Sequence, residues 1–288
     1  MFLNYAEGTM VDDAIIKKVL NNNVVIAEKE NNDYILIGKG IGFDFHKGSS
    51  IPSNRIETVF VRENTEIDNN YNTVLETIDN KIIGISEEII SMSEKDLGLK
   101  LNKQIHVSLP DHINFCLKRM EKEIKIENPF LNELKVLYPE EYSIASKALK
   151  MINDTFNTNI PEDETGFICL HIRAAITEDG IGIHLEYTNK IKEIMNLISK
   201  LIGRSIETNS LEYARTLTHT NFMLERILKG KTIKNLLLDT IKDKFQSEYS
   251  IAIKIALRIE ALFSVKVPED EIGYLAMHLK RLSDMENE

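Results

Sequence analysis

The phrase "PEDETGFICLH", residues 161–171, is written again as "PEDEIGYLAMH" at residues 268–278. An offset of 107 residues superimposes the two. The same offset lays "HINFCLKR" (112–119) on "HTNFMLER" (219–226) and "EYSIA" (141–145) on an identical "EYSIA" (248–252). Across 141–173 and its copy, 14 of 33 positions are identical, more than chance produces, so one domain has been duplicated. In each copy two histidines are retained 59 residues apart, His112 with His171 and His219 with His278.

Each copy reads as all-helical. Ser108 and Pro110 look like an N-cap and first-turn proline, followed by Ile113, Cys116, Leu117, Met120 and Ile124 on one helical stripe. Ile144, Ala148, Ile152 and Phe156 recur at intervals of four. Pro161 with Glu162, Asp163 and Glu164 forms a carboxylate-loaded first turn, suited to the positive end of a helix dipole. Helices are expected over 72–92 and 182–203, opening the copies. The body is therefore expected to be two helical bundles, each about a hundred residues long and so of ordinary domain size.

The first sixty-odd residues differ. "NNVVIAEKE" (22–30), "DYILIGKG" (33–40) and "IETVFV" (56–61) read as strands, with a further strand ending at Leu20. So short a strand-rich head has a marginal core, which favours a dimer or a bound partner. "RENTEIDNNYN" (62–72) reads as a polar connection to the body.

Composition narrows the classes. The 288 residues are 43% hydrophobic, ample for folded cores. No apolar run approaches the ~18 residues that span a bilayer, and "MFLNYAEGTMVDDA" is no secretory signal, so a cytoplasmic protein without membrane insertion is expected. Cys116 and Cys169 form neither a disulfide framework nor a CxxC pair and read as small buried hydrophobes. The net charge of −10 disfavours nonspecific attraction to nucleic acid. Ala14–Arg62 nevertheless holds seven basic against five acidic residues, a faint hint of an anionic partner for the head.

"GKGIGF" (38–43) fails as a phosphate loop, because no Lys-Ser/Thr follows and strand is expected downstream. It reads equally as a plain glycine turn or as a backbone brought close to a ligand, with Lys39 and Phe43 as charge and stacking surface. "NNN" (21–23) is first a hairpin turn, though asparagine amides beside Lys18 also suit RNA. The four paired histidines match no metal-ligand spacing, and no nucleophile motif is present, so neither metal nor cofactor is expected. Yet both copies retain them while neighbours drift, and both retain a mid-helix glycine, Gly166 or Gly273, that costs about 1 kcal/mol. That combination suggests a histidine function needing close approach. Arg119 and Arg226, two turns beyond His112 and His219, are candidate phosphate contacts or plain surface arginines. His46, His106 and His184 have no counterparts under the offset and are expected on the surface.

Head, duplicated body and paired histidines together resemble a bacterial transcriptional antiterminator of the BglG/LicT/SacY type, over nearly the whole chain from Ile15. "IKKVLNNNVVIAEKENNDYILIGKGIGFDFHKG" (16–48) with "RIETVF" (55–60) is similar to the family's RNA-binding domain, a small antiparallel β-sheet that dimerises. "PDHINF" (110–115) and "THTNF" (218–222) resemble the first histidine motif of the family's PTS regulation domains. "ETGFICLHI" (164–172) and "EIGYLAMHL" (271–279) resemble the second. "VLNNNVVIA" with "LIGKGIGF" is most similar to the glucose-type members, although Lys39 is a point charge where many relatives carry an arginine fork.

The resemblance implies that Lys18, Asn21, Asn23, Gly38, Lys39 and Phe43 face RNA, a leader-mRNA hairpin overlapping a terminator and bound by a homodimer. It implies that His112, His171, His219 and His278 accept phosphate, the first pair from a sugar-specific enzyme II and the second from HPr. The implied domains are an extension at 1–14, an RNA-binding domain at 15–64, a linker at 65–74 and regulation domains at 75–181 and 182–288. Met10 is an alternative start. The chain would be a regulator and not an enzyme. Two alternatives remain: a DNA-binding activator with the same regulation domains, which would open on a helix-turn-helix, and a metallohydrolase, which would gather the histidines and carboxylates about one ion.

Overall fold

The computed structural model describes residues 11, 13–30, 32–61 and 73–284. The head is a four-stranded antiparallel meander: β1 (Ile15–Val19), β2 (Val24–Lys29), β3 (Asn32–Ile37) and β4 (Thr58–Val61), paired in that order. "NNN" closes the first hairpin, because Asn21 Oδ1 accepts from the backbone N–H of Asn23 (2.8 Å) and of Val24 (2.9 Å). Such Asx turns are what make asparagine a hairpin residue. Alternation along the strands sorts the two faces. Ile16, Val25, Leu36 and Val59 join Val11, Ala14, Ile41 and Ile51 in one small core, so two residues of the expected extension belong to it. The opposite face carries Ile26, Ile35 and Phe60, which lie in register and are all buried.

Past β3 the chain does not go directly to strand. Gly40, at φ 73°, leads into the one-turn helix α1 (Ile41–Asp44), a correction to the reading of "GKGIGF". Residues 73–77 form α2, and α3 (Asn80–Leu97) begins after a break. The single helix expected over 72–92 is thus two, because Asp79 caps α3 by accepting from Lys81 N–H (2.7 Å). Then follow α4 (Ile105–Glu121), α5 (Leu131–Leu137), α6 (Pro139–Phe156), α7 (Asp163–Thr177), α8 (Ile181–Ile202), α9 (Leu211–Leu228), α10 (Leu238–Lys244), α11 (Gln246–Phe263) and α12 (Glu269–Asp284). The repeat offset carries α5 onto α10 and α6 onto α11 residue for residue. The helix α4 starts three residues before the expected cap, where Asn102 Oδ1 accepts from Gln104 N–H (2.9 Å), leaving Pro110 inside it. "RENTEIDNNYN" lies outside the described residues.

The chain divides into two compact units. One holds the head with the first repeat through Asn128 and Glu140–Ile181. The other holds Gly182 onward together with Pro129–Pro139, so α5 belongs with the second repeat. Its buried Glu133 accepts from Tyr213 Oη on α9 at 2.5 Å, with Lys192 Nζ 3.8 Å away. By contrast α10, the copy of α5, packs on α11 and α12.

Two of the three unmatched histidines are interior, contrary to expectation. His106 Nδ1 lies 2.8 Å from buried Glu87 and packs edge-on against Phe60 at 4.9 Å. His184 is buried beside Tyr138 at 6.1 Å. A histidine tolerates burial where a carboxylate or an aromatic edge accepts it, which periodicity alone does not reveal. His46 is exposed, and Cys116 and Cys169 are buried free thiols. Tyr213→Phe, which strands the Glu133 carboxylate, is expected to lower unfolding free energy by about 1–3 kcal/mol, measured by urea denaturation.

Candidate functional sites

The three acids of the doubled phrase each have a separate task. Asp163 Oδ1 accepts from Asn128 N–H (2.7 Å), and Asp270 Oδ1 accepts from Asn235 N–H (2.8 Å). Glu162 accepts from Tyr142 Oη (3.0 Å) and Glu269 from Tyr249 Oη (3.3 Å). These two acids pin the helix start to the preceding loop and to the neighbouring helix identically in both copies. The third acid, Glu164 or Glu271, is almost wholly buried and turns toward the histidines, and there the copies part.

In the first copy, His112 on α4 and His171 on α7 stand with ring centroids 4.5 Å apart. His112 Nε2 lies 2.5 Å from Glu164 Oε1, poorly aligned for a hydrogen bond. Burial and the Glu164 charge push the neighbouring Cys116 thiol up to about 12. His171 is only 9% exposed, and its Nδ1 is 3.4 Å from Ser108 Oγ. Burial, then the charge of His112, holds His171 down to about 3. Arg119 is turned elsewhere: it donates to the Lys125 carbonyl (2.8 Å) and stacks on Phe115. A cleft of about 290 Å³ bordered by Ser108, Ala174 and Glu178 reaches His171.

In the second copy, His219 on α9 and His278 on α12 stack with centroids 3.9 Å apart and planes 26° from parallel. Arg226 grips Glu271 with two donors, Nε and Nη2, both at 2.8 Å. That bidentate pair occupies the acid and leaves the histidines beside a cavity of about 200 Å³, lined also by Phe222, Arg226 and Tyr274. Arg215 and Arg281 border the other side of the same pair. Burial, then the charges of His219 and Arg281, holds His278 down to about 4. Burial, then Arg281 and Arg226, lowers the exposed His219. The first copy has Ser108 and Ala174 where the second has Arg215 and Arg281.

Sequence reasoning missed Glu164 and Glu271 as members of the pocket, reading them only as dipole-compensating acids. It also missed Arg215 and Arg281, which lie outside the shared motifs. The close approach that Gly273 permits is not at the histidines. A Cβ there would fall 2.7 Å from Asn235 Nδ2 and 2.8 Å from Leu238 Cδ1, so the glycine lets the Asn235 loop and α10 close on α12. Among the described residues, no three His, Cys, Asp or Glu side chains are placed to hold a metal ion.

In the head, the asparagine turn and the glycine turn interlock. The Gly38 N–H donates to the Asn23 carbonyl (2.9 Å), the Gly42 N–H to the Asn22 carbonyl (2.9 Å), and the Gly40 N–H to Asn23 Oδ1 (2.9 Å). A Cβ on Gly38 would meet the Arg55 carbonyl at 2.1 Å, so the close approach this glycine permits is to the head's own backbone. Arg55 braces the turn by donating to Asp44 (2.5 Å) and to the Lys39 carbonyl (3.2 Å). Phe43 is 72% exposed and Lys39 is also on the surface. Lys18 Nζ donates to the Leu75 carbonyl (3.1 Å). The side-chain amides of Asn21 and Asn23 both donate to Glu88, at 2.7 and 3.0 Å.

A strand-built head followed by a duplicated helical module with paired histidines defines a two-part regulator. Comparison with family models gives both parts. Residues 14–69 match the CAT RNA binding domain, and residues 87–175 and 192–282 each match the PRD domain. The chain belongs to the transcription antiterminator family. It is 35% identical to the transcription antiterminator LicT of Bacillus subtilis, over 93% of this chain and 98% of that protein. It is 32% identical to the protein GlcT of Staphylococcus saprophyticus, over 93% and 97%. It is 30% identical to the beta-glucoside operon antiterminator of Dickeya chrysanthemi, over 93% and 96%. The crystal structure of GlcT CAT-PRDI covers 57% of this chain and 98% of its own at 38% identity and a TM-score of 0.48. The head is a β-sheet matched to an RNA-binding domain, and among its described residues no α-helix is longer than the one-turn α1, where the DNA-binding alternative requires a recognition helix. Among the described residues, no helix is long and apolar enough to cross a membrane.

The depressed His171 value makes a sign-definite prediction. Between its ordinary value near 6.5 and about 3, the unfolded chain binds a proton that the folded chain refuses, so stability is lost as the pH is lowered through that window. Urea unfolding at pH 7, 6 and 5 should show a loss of up to about 1.4 kcal/mol per pH unit from this residue. His171→Asn should flatten that slope.

Proposed function

We propose that this antiterminator is sugar-responsive and acts in the cytoplasm, binding a leader-mRNA hairpin as a homodimer and keeping it from the terminator fold. In this reading Lys18, Asn21, Asn23, Gly38, Lys39 and Phe43 contact the RNA. His112 and His171 take phosphate from a sugar-specific enzyme II of the phosphotransferase system, and His219 and His278 take it from HPr. The working domains are the RNA-binding domain at 15–64, behind an extension at 1–14, a linker at 65–74, and regulation domains at 75–181 and 182–288.

The observation that carries this reading is the twice-built histidine pair, in which burial and neighbouring positive charge hold His171, His219 and His278 below the ordinary imidazole range. A neutral imidazole keeps a nitrogen lone pair, which attacks the phosphorus of the donor's phosphoryl group. The new N–P bond forms as the donor's bond to phosphorus breaks, the departing donor side chain takes up one proton, and the acceptor ring gives up its N–H proton to solvent. The surroundings then favour opposite outcomes in the two copies. A phosphoryl group adds roughly −1.5 to −2 charges, by analogy with phosphoserine. At His112 it meets the buried Glu164, which has no arginine fork on it, so the first pocket must rearrange. At His219 or His278 it meets Arg215 and Arg281, with Glu271 already neutralised, so the second pocket accepts the charge in place. Phosphate therefore disrupts the first domain, in keeping with inactivation without sugar, and settles in the second.

Transfer of labelled phosphate from purified HPr, with and without enzyme II, onto single-histidine variants tests the assignment. Label on His219 and His278 from HPr alone, and on His112 and His171 only with enzyme II, is the expected result. A His112→Ala/His171→Ala variant that still responds to sugar through the transporter overturns it. Arg215→Gln with Arg281→Gln is expected to reduce phosphate retained in the second domain about tenfold, with the first unchanged.

A further inference from the structure

We propose that α3 is an internal competitor of RNA, a protein surface that occupies the head's recognition edge through Glu88. This rests on the RNA reading of Asn21 and Asn23 above.

The amide oxygens of both asparagines are already spent inside the head: that of Asn21 on the Asn23 and Val24 N–H groups, that of Asn23 on the Gly40 N–H. The amide NH₂ groups are what these two side chains have left for an outside ligand. Glu88 takes one with each carboxylate oxygen, Oε1 from Asn21 (2.7 Å) and Oε2 from Asn23 (3.0 Å). A carboxylate here presents two anionic acceptors, as an RNA phosphate would. It also places negative charge where RNA must approach.

Helix α3 is shaped for this contact. Gly84, one turn before Glu88, would carry a Cβ 2.5 Å from Asn21 Nδ2 and 2.6 Å from its Cγ, so no other residue fits without displacing the Asn21 side chain. Glycine inside a helix costs about 1 kcal/mol relative to alanine, a cost offset here by close approach. Further along, the Ser91 and Thr58 hydroxyls meet at 2.8 Å, and Lys18 is tied to the Leu75 carbonyl at 3.1 Å. The sheet face bearing Phe60 ends on His106, itself held by Glu87 at 2.8 Å. His106 lies on α4, the helix that carries His112 six residues later, so the contact abuts the element that would receive the inactivating phosphate. Because the competitor is in the same chain, it acts at high effective concentration, while Phe43 and Lys39 stay exposed to make a first contact with RNA.

The test uses the full chain and a hairpin RNA obtained by in vitro selection against it, with affinity read by gel shift. Glu88→Gln and Gly84→Ala, each checked by thermal unfolding, are expected to tighten RNA binding, and Glu88→Ala by about tenfold or more. Asn23→Ala is expected to weaken it in both the wild-type and the Glu88→Ala background. If Asn23→Ala weakens binding while the Glu88 variants leave it unchanged or weaker, the competition is refuted and the RNA reading stands. If Asn23→Ala has no effect in either background, the RNA reading of that edge falls and the competition with it. Should Gly84→Ala fail to fold, the two Glu88 variants decide the matter.

Discussion

A buried carboxylate beside a pair of histidines is the constraint on which each regulation domain is built. Glu164 is 1% exposed and Glu271 is 0% exposed. A charge so deeply buried is costly unless something nearby answers it. Both copies inherited the acid in the same phrase, and each found a different answer. In the first, the histidine itself takes that place, with His112 drawn to Glu164. In the second, Arg226 takes both oxygens of Glu271, and the histidines are released to stack beside an open cavity. Arg119, the counterpart of Arg226, instead spends its guanidinium on a backbone carbonyl and Phe115.

The other two acids explain why the phrase survived duplication almost unchanged. Asp163 and Asp270 fasten the helix to the Asn128 and Asn235 loops, and Glu162 and Glu269 fasten it to Tyr142 and Tyr249. These are framework bonds, identical in both copies, and they fix where the histidine at the far end of the phrase will stand. Around that shared frame the surroundings diverged, burying His171 against Ser108 and leaving His219 exposed among arginines.

The head obeys a different economy. Two turns, "NNN" and "GKGIGF", interlock through backbone bonds; Gly38 and Gly42 are needed because other backbone lies where a Cβ would be, and Gly40 because its φ is 73°. The sheet between them has two apolar faces. One is closed by the head's own residues, from Val11 to Val59. The other, with Ile26, Ile35 and Phe60, is closed by helices of the first repeat. A small sheet with two apolar faces cannot be satisfied alone, and here the regulation domain supplies its cover.

Much of this was legible in the sequence. Periodicity located the strands and most helices, the offset located the duplication and the histidine pairs, and quoted motifs pointed to the family. Errors fell at two local caps, the break at Asp79 and the early start of α4 at Ile105, and where distant partners decide, the burial of His106 and His184. Spacing along a helix reports which face a residue shares, and that information is local. By itself the sequence determined the strand-rich head, the two copies of one helical module, and the histidines' recurrence at fixed separation. Only the tertiary structure decided which group answers each buried acid and what covers the asparagine edge. Those choices depend on side chains from separate helices meeting at bonding distance, and no periodicity records that.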